Sequence, residues 1–154
     1  MYFTNIINNI YTMKYLRGIF ESIVPEFMEE LKDFCESNLI YLIDDGFTLE
    51  FVDTTESSYK KDFGITVRIS KYSSGRNDLI GDYKQFSYFN WNDIKDYYIP
   101  FLVRISNEYK IYDKCLIILD YGGANLYSYN TLMKDKLYLD KSIKSISIKV
   151  KDKL

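Results

Sequence analysis

The sequence predicts an α+β fold in which a mostly antiparallel sheet of about five to six strands packs against one long amphipathic helix and a second, proline-kinked helix. Two observations support this class: apolar residues recur at helical spacing before Gly46, and they alternate with polar residues after it. The composition, 47% apolar and 27% charged, is typical of globular proteins. A chain of 154 residues suits one domain spanning residues 1–154.

The first 20 residues carry a mixed signal. Thr4 can cap a helix with a rough apolar stripe, but Asn8, Asn9 and several β-branched residues lower its helix propensity. Two interpretations stand: a helix of the domain, and a helical arm over residues 1–20 that orders against a partner. The arm would offer a route to homo-oligomers.

The next segment predicts the long helix. Ser22 can cap it, and Pro25 suits its first turn. Its apolar residues recur mostly every three to four positions: Phe27, Met28, Leu31, Phe34, Cys35, Leu39, Leu42 and Ile43. Gly46, after the polar turn residues Asp44 and Asp45, supplies the left-handed residue that commonly ends a helix.

Alternation then predicts a three-stranded meander. Residues 47–52 and 63–70 read as antiparallel strands joined by a polar hairpin connection at 53–62. Residues 72–82 contain SSGRND and Gly81, which predict an exposed loop, and a third strand is expected at 85–89.

The second helix begins at Asn90 or Asn92 as cap, and we expect Pro100 to kink it or divide it into two abutting pieces. Six of its residues should face the core: Trp91, Ile94, Tyr98, Phe101, Leu102 and Ile105.

The remaining chain predicts three strands. Residues 115–121 form an apolar strand suited to the centre of the sheet and closed by Gly122 and Gly123. A short strand at 126–129 and a helical turn at 130–135 follow. The last strand alternates through residues 146–151, and its lysines Lys149, Lys151 and Lys153 are typical of a protected edge.

These patterns predict one core between the helices and one face of the sheet. Its expected members are Phe27, Leu31, Phe34, Leu42, Phe51, Ile65, Val67, Ile69, Trp91, Ile94, Phe101, Leu116 and Ile118.

The absence of histidine excludes Ser-His-Asp and Cys-His catalysis and histidine-liganded zinc. Cys35 and Cys115 stand far apart among apolar neighbours, so we interpret them as reduced core thiols of a cytoplasmic protein. The first basic residue is Lys14 and the apolar runs are short, so neither a secretion signal nor a membrane span is expected.

No spacing of acidic residues matches a known metal or phosphate motif. The candidate carboxylates are Asp44, Asp45, Glu50, Asp53 and Asp120. The stretch DYGGAN (120–125) fits a turn between strands better than a phosphate loop. We therefore expect a protein that is not an enzyme, with no catalytic or metal-binding residues and no cofactor.

Charge is strongly segregated along the chain. Residues 21–56 hold eleven acidic residues and one basic residue, whereas residues 134–154 hold seven lysines and three aspartates. Five acids recur at helical spacing on the long helix: Glu26, Glu29, Glu30, Asp33 and Glu36. They form either a solvated face or a docking surface for a protein partner with a basic surface. Nucleic-acid binding is disfavoured because the basic segment is interrupted by aspartates and carries no recognition motif.

Three segments resemble small uncharacterised proteins of tailed phages with AT-rich genomes: YLIDDGF (Tyr41–Phe47), ITVRISK (Ile65–Lys71) and FNWNDIKDYYIPFL (Phe89–Leu102). The resemblance implies a phage origin and, if so, the host cytoplasm, but it carries no active-site residues. We expect a non-enzymatic accessory protein that binds and modulates a host or phage protein, for instance as a defence inhibitor. The alternative is a structural component of the virion or its assembly, and a metal-dependent enzyme or nucleic-acid binder is a third class.

Overall fold

A computed structural model describes residues 26–53, 64–119, 122–135 and 141–154. The chain divides into two compact units, Met1–Phe34 and Cys35–Leu154. The proposed arm at 1–20 lies outside the described residues, as does nearly all of the hairpin connection at 53–62. The described helices are too short or too polar to cross a membrane.

The predicted long helix is divided in two. Helix α1 covers residues 26–38 and helix α2 covers Ile40–Asp44. Leu39 between them departs from helical geometry, with φ −113° and ψ 19°. It follows Asn38, whose side chain accepts a hydrogen bond from Arg104 at 2.8 Å. Gly46 has φ +91°, so the prediction of a left-handed residue at the helix end is confirmed.

The described residues form one antiparallel sheet of seven strands. Its strands are β1 (Phe47–Asp53), β2 (Ile65–Asn77), β3 (Gly81–Ser87), β4 (Tyr109–Ile111), β5 (Lys114–Leu119), β6 (Ala124–Ser128) and β7 (Ile143–Lys153). The main order is β1-β2-β7-β5-β6, with β3 paired to β2 and β4 paired to β7. The predicted α+β class is confirmed, and the strands exceed the expected number.

The exposed loop predicted at 72–82 is wrong. Strand β2 continues to Asn77 and pairs with β3 from Lys71↔Ser87 to Asn77↔Gly81, leaving a three-residue turn. Most side chains of this ribbon are exposed, so no buried face imposes an apolar alternation on its sequence. Tyr83 lies across Gly75, where an added Cβ would clash with the tyrosine ring.

The edge position predicted for the last strand is also wrong, because β7 is the central strand. It pairs with β2 on one side and with β4 and β5 on the other. Its pairing with β2 ends at Ile65↔Val150, so Lys151 and Lys153 lie beyond that neighbour. Lys151 and Lys153 therefore belong to the part of β7 that extends past β2, and the apolar residues before them lie in the centre of the sheet.

The buried face of β5 is the opposite of the one predicted. Cys115, Ile117 and Leu119 are buried, whereas Leu116 and Ile118 are half-buried on the other face. The register places Ile117 opposite Ile146 of β7, which fixes its side of the sheet. A continuous apolar run such as CLIIL carries no alternation, so its phase is not encoded locally.

For the other residues of the predicted core, burial itself is mostly confirmed. Phe27, Phe34 and Phe51 are only half-buried. Eight expected members are buried: Leu31, Leu42, Ile65, Val67, Ile69, Trp91, Ile94 and Phe101.

Helix α3 (Trp91–Glu108) runs through Pro100 without interruption, so the division into two pieces is wrong. Pro100 is exposed and removes a single backbone donor, while the six residues predicted to face the core are all buried. Asn90 is the N-cap, and the Asp93 carboxylate accepts a hydrogen bond from its N–H at 3.0 Å. A short helix, α4 (Tyr129–Met133), follows β6 close to the predicted helical turn.

Neighbouring residues of β5 test the face assignment. Ile117→Ala should lower the free energy of unfolding by about 2–5 kcal/mol, because it leaves a cavity in the core. Ile118→Ala should cost clearly less, since that side chain is only half-buried. Urea unfolding of both variants measures the difference, and equal or inverted costs would contradict the assigned phase.

The α3 and α4 regions are joined by a carboxylate. Asp135 accepts hydrogen bonds from Trp91 Nε1 and Lys95 Nζ, both at 3.0 Å. These two hydrogen bonds hold the pKa of Asp135 below its ordinary value of 3.8, and the bond from Trp91 has the larger effect. The carboxylate therefore stabilises the fold above pH 3.8, and this contribution is lost as the pH falls through the lowered native pKa.

Asp135→Asn should reveal this pH dependence. Asparagine tolerates the residue's φ of +50° and keeps an acceptor for Trp91, but it carries no charge. We expect the variant to be less stable than the wild type at pH 7, and the difference to shrink in acid. Fluorescence of Trp91, the single tryptophan, reports unfolding at both pH values. A difference independent of pH would show that the carboxylate charge is not involved.

Candidate functional site

The acidic face of α1 comprises Glu26, Glu29, Glu30 and Asp33 in the first unit, and all four side chains are exposed. At about 100° per residue they fall within an arc of about 100°, while Leu31, which is buried, points away from it. Glu36, the fifth predicted residue, is exposed on the same helix but belongs to the second unit.

Like charges lie close together on the acidic face of α1. Glu26 stands three and four residues before Glu29 and Glu30, and Asp33 stands four and three residues after them. Like charges at these spacings destabilise an isolated helix by about 0.2–0.5 kcal/mol per pair. Such a concentration of negative charge is complementary to a cationic surface.

The carboxylates of the sheet region are engaged differently. Glu50 Oε2 lies 3.4 Å from Arg68 Nη1, and Glu50 Oε1 accepts a hydrogen bond from the Tyr72 hydroxyl at 2.6 Å. That bond is the main reason why the pKa of Tyr72 is raised. Asp45 lies 3.6 Å from Lys71. Among the described residues, no three acids, cysteines or histidines are grouped so as to hold a metal ion.

Within the stretch 120–125, the described residues Gly122 and Gly123 lie between β5 and β6, and Ala124 and Asn125 already belong to β6. Leu119 N–H donates to Gly123 O at 2.9 Å, and Gly122 N–H donates to Leu119 O at 3.1 Å. Gly122 has φ +82°, which explains a glycine at this position. The turn prediction is confirmed for these residues, and Asp120 lies outside the described residues.

Both cysteines are free and buried, as predicted. Burial raises the pKa of Cys35 and of Cys115 to about 12, and the Glu36 charge adds to the effect at Cys35. Tyr98 of α3 is fully buried near both thiols. Thiols that stay protonated and enclosed are poor nucleophiles, so these cysteines belong to the core.

The thiols should therefore be inert in the native protein. With a disulfide reagent such as DTNB at pH 8, we expect no rapid reaction, because a pKa of about 12 leaves almost no thiolate. In denaturant both thiols should react. Rapid labelling of a folded sample would show that one cysteine is accessible, and circular dichroism during the assay confirms the folded state.

Sequence reasoning missed a cavity of about 340 Å³ on the outward face of the sheet. Tyr112, Leu116, Leu126, Ser147 and Lys149 contribute to its lining. The centroid of the Tyr112 ring lies 4.8 Å from Lys149 Nζ and 4.0 Å from Lys151 Nζ. No sequence signal marks this group, since Ser147 and Lys149 of β7 come beside Leu116 and Leu126 only when β7 pairs with β5.

No family model, curated protein or solved structure matches the chain.

Proposed function

We propose that this is a non-enzymatic phage accessory protein that binds a basic surface of a host or phage protein and modulates it, for instance as a defence inhibitor. The observation that carries the proposal is the acidic face of α1, where Glu26, Glu29, Glu30 and Asp33 are all exposed on one side. Glu36 extends the same acidic pattern along the helix.

The uniform sign of the charge on this face supports binding over mere solvation. A solvated face is equally well served by alternating charges, which attract each other at helical spacing. Here the only basic residue between Glu21 and Glu56 is Lys32. An acidic surface of this kind accelerates association with a basic partner and selects against acidic ones.

The chemistry of the chain supports a binding role over a catalytic one. It has no histidine, and both thiols have a pKa raised to about 12. A phage source agrees with the resemblance of the three segments given above. Modulation then requires only that the helix cover a functional basic surface on its partner.

Charge reversal on the acidic face tests the proposal. The tagged wild type should capture a partner from the lysate of a low-GC bacterium, and Glu29→Lys/Glu30→Lys/Asp33→Lys should lose it. The purified partner should then bind the wild type less tightly as salt rises, because screening weakens attraction between exposed charges.

A matched variant separates the acidic face from net charge. Asp78, Asp96 and Glu108 are exposed acids of the second unit, and their triple replacement by lysine changes the charge equally. This control should bind like the wild type. The proposal fails if both triple variants bind alike, or if no partner is enriched by the wild type. Thermal melts of all three proteins establish that they are folded.

A further inference from the structure

The chain bulges between β4 and β5, where both strands run along β7. Pairing with β7 stops at Ile111↔Val150 and resumes at Leu116↔Ser147. Four residues of the β4-β5 side therefore stand against only two residues of β7. An antiparallel ladder pairs residues one to one, so the extra residues must leave it. Bulges re-aim side chains and are frequent next to active sites, which draws attention to the side chains at this point.

Tyr112 is the first residue of this bulge. Its N–H donates to Lys149 O at 3.0 Å, which holds its backbone against β7. Tyr112 forms part of the lining of the cavity of about 340 Å³ on the outward face of the sheet. Leu116 is paired with Leu126 on one side and with Ser147 on the other, so these three line the cavity as one cross-strand row. The cavity thus combines an aromatic residue placed by the bulge with an apolar row of the sheet.

Charged residues accompany this apolar lining. The described lining contains two lysines, Lys114 and Lys149, and one carboxylate, Asp113, so its net charge is positive. The Lys151 ammonium group, which lies 4.0 Å from the centroid of the Tyr112 ring, adds a further positive charge beside it. Lys114 and Asp113 are exposed, so the cavity is reached from solvent. An apolar cavity with an excess of positive charge is complementary to an organic anion.

We propose that this cavity binds a small aromatic monocarboxylate. Its volume lies near the lower end of the roughly 300–1,000 Å³ that is typical of small-molecule sites, which suits a body of one or two rings. The rings would pack against Tyr112 and the two leucines, while the carboxylate accepts a hydrogen bond from the ammonium group of Lys114 or Lys149.

The lining favours a carboxylate over a phosphate. The described lining contains no arginine, the residue whose planar fork best matches phosphate oxygens. Its one carboxylate, Asp113, opposes a second negative charge on the ligand. The cavity shares no residue with the acidic face of α1, so this proposal stands or falls independently of the proposed function.

An NMR titration of the isotope-labelled protein with 2-naphthoate tests the proposal. The backbone amides of Leu116, Leu126 and Lys149 should shift along one saturating curve. The neutral 2-naphthamide has the same rings and should bind about tenfold more weakly or worse, because a hydrogen bond to a charged group is the stronger one. The dianion 2-naphthyl phosphate should also bind more weakly than 2-naphthoate.

Two pairs of variants place the binding in this cavity. Lys149→Met removes one ammonium group and should weaken 2-naphthoate binding about tenfold, whereas Lys84→Met, on β3 and outside the lining, should not. Leu126→Asp sets a negative charge at an exposed position of the lining and should also abolish binding. Leu79→Asp makes the same change in the exposed turn between β2 and β3 and should bind like the wild type.

The proposal is overturned if 2-naphthoate causes no saturating shifts at the lining residues, or if each variant binds like its matched control. It is also overturned if the amide or the phosphate binds as tightly as the carboxylate, since the site would then belong to another class of ligand. Thermal melts of the four variants establish that they are folded.

Discussion

The insertion of β7 between β2 and β5 is the interaction on which the sheet depends. Without it, the β1-β2-β3 meander and the β5-β6 hairpin would share no strand. Ile146, Ile148 and Val150 lie opposite Ile69, Val67 and Ile65, so both strands bury one continuous apolar row. Each fully buried side chain of this kind contributes about 1.5–3 kcal/mol. Because β7 is the last strand of the chain, the centre of the sheet can form only through long-range pairing, which slows folding.

Elements whose signals are local could be predicted from the sequence. In α3 the Asn90 cap, the 3.6-residue period and the six buried positions all point to one helix, and tertiary burial overrides the single contrary signal, Pro100. The same holds for the end of α2, where Gly46 has the positive φ that its position predicts. The acidic face of α1 could also be foreseen, since helical spacing alone places Glu26, Glu29, Glu30 and Asp33 together.

Properties fixed by distant pairing could not be predicted. The alternation in β7 shows a strand with one apolar face, but only its partners decide whether it is central or an edge. The run CLIIL fits either phase until Ile117 is set opposite Ile146. The β2-β3 ribbon is stabilised by its backbone ladder and a few contacts such as Tyr72 with Phe86. Its sequence is therefore polar, and a polar sequence of this kind predicts a loop.

The acidic face of α1 and the position of β6 therefore have different origins. The acidic face follows from the local sequence of one helix, and it exists wherever that helix forms. The place of β6 is a product of topology: β7 occupies the other side of β5, so among the described residues β6 has one neighbour and lies at the end of the sheet. Closure of the sheet would require β6 to reach β1, which is separated from it by β2, β7 and β5. The strand order that completes the core thus places β6 at one end of the described sheet.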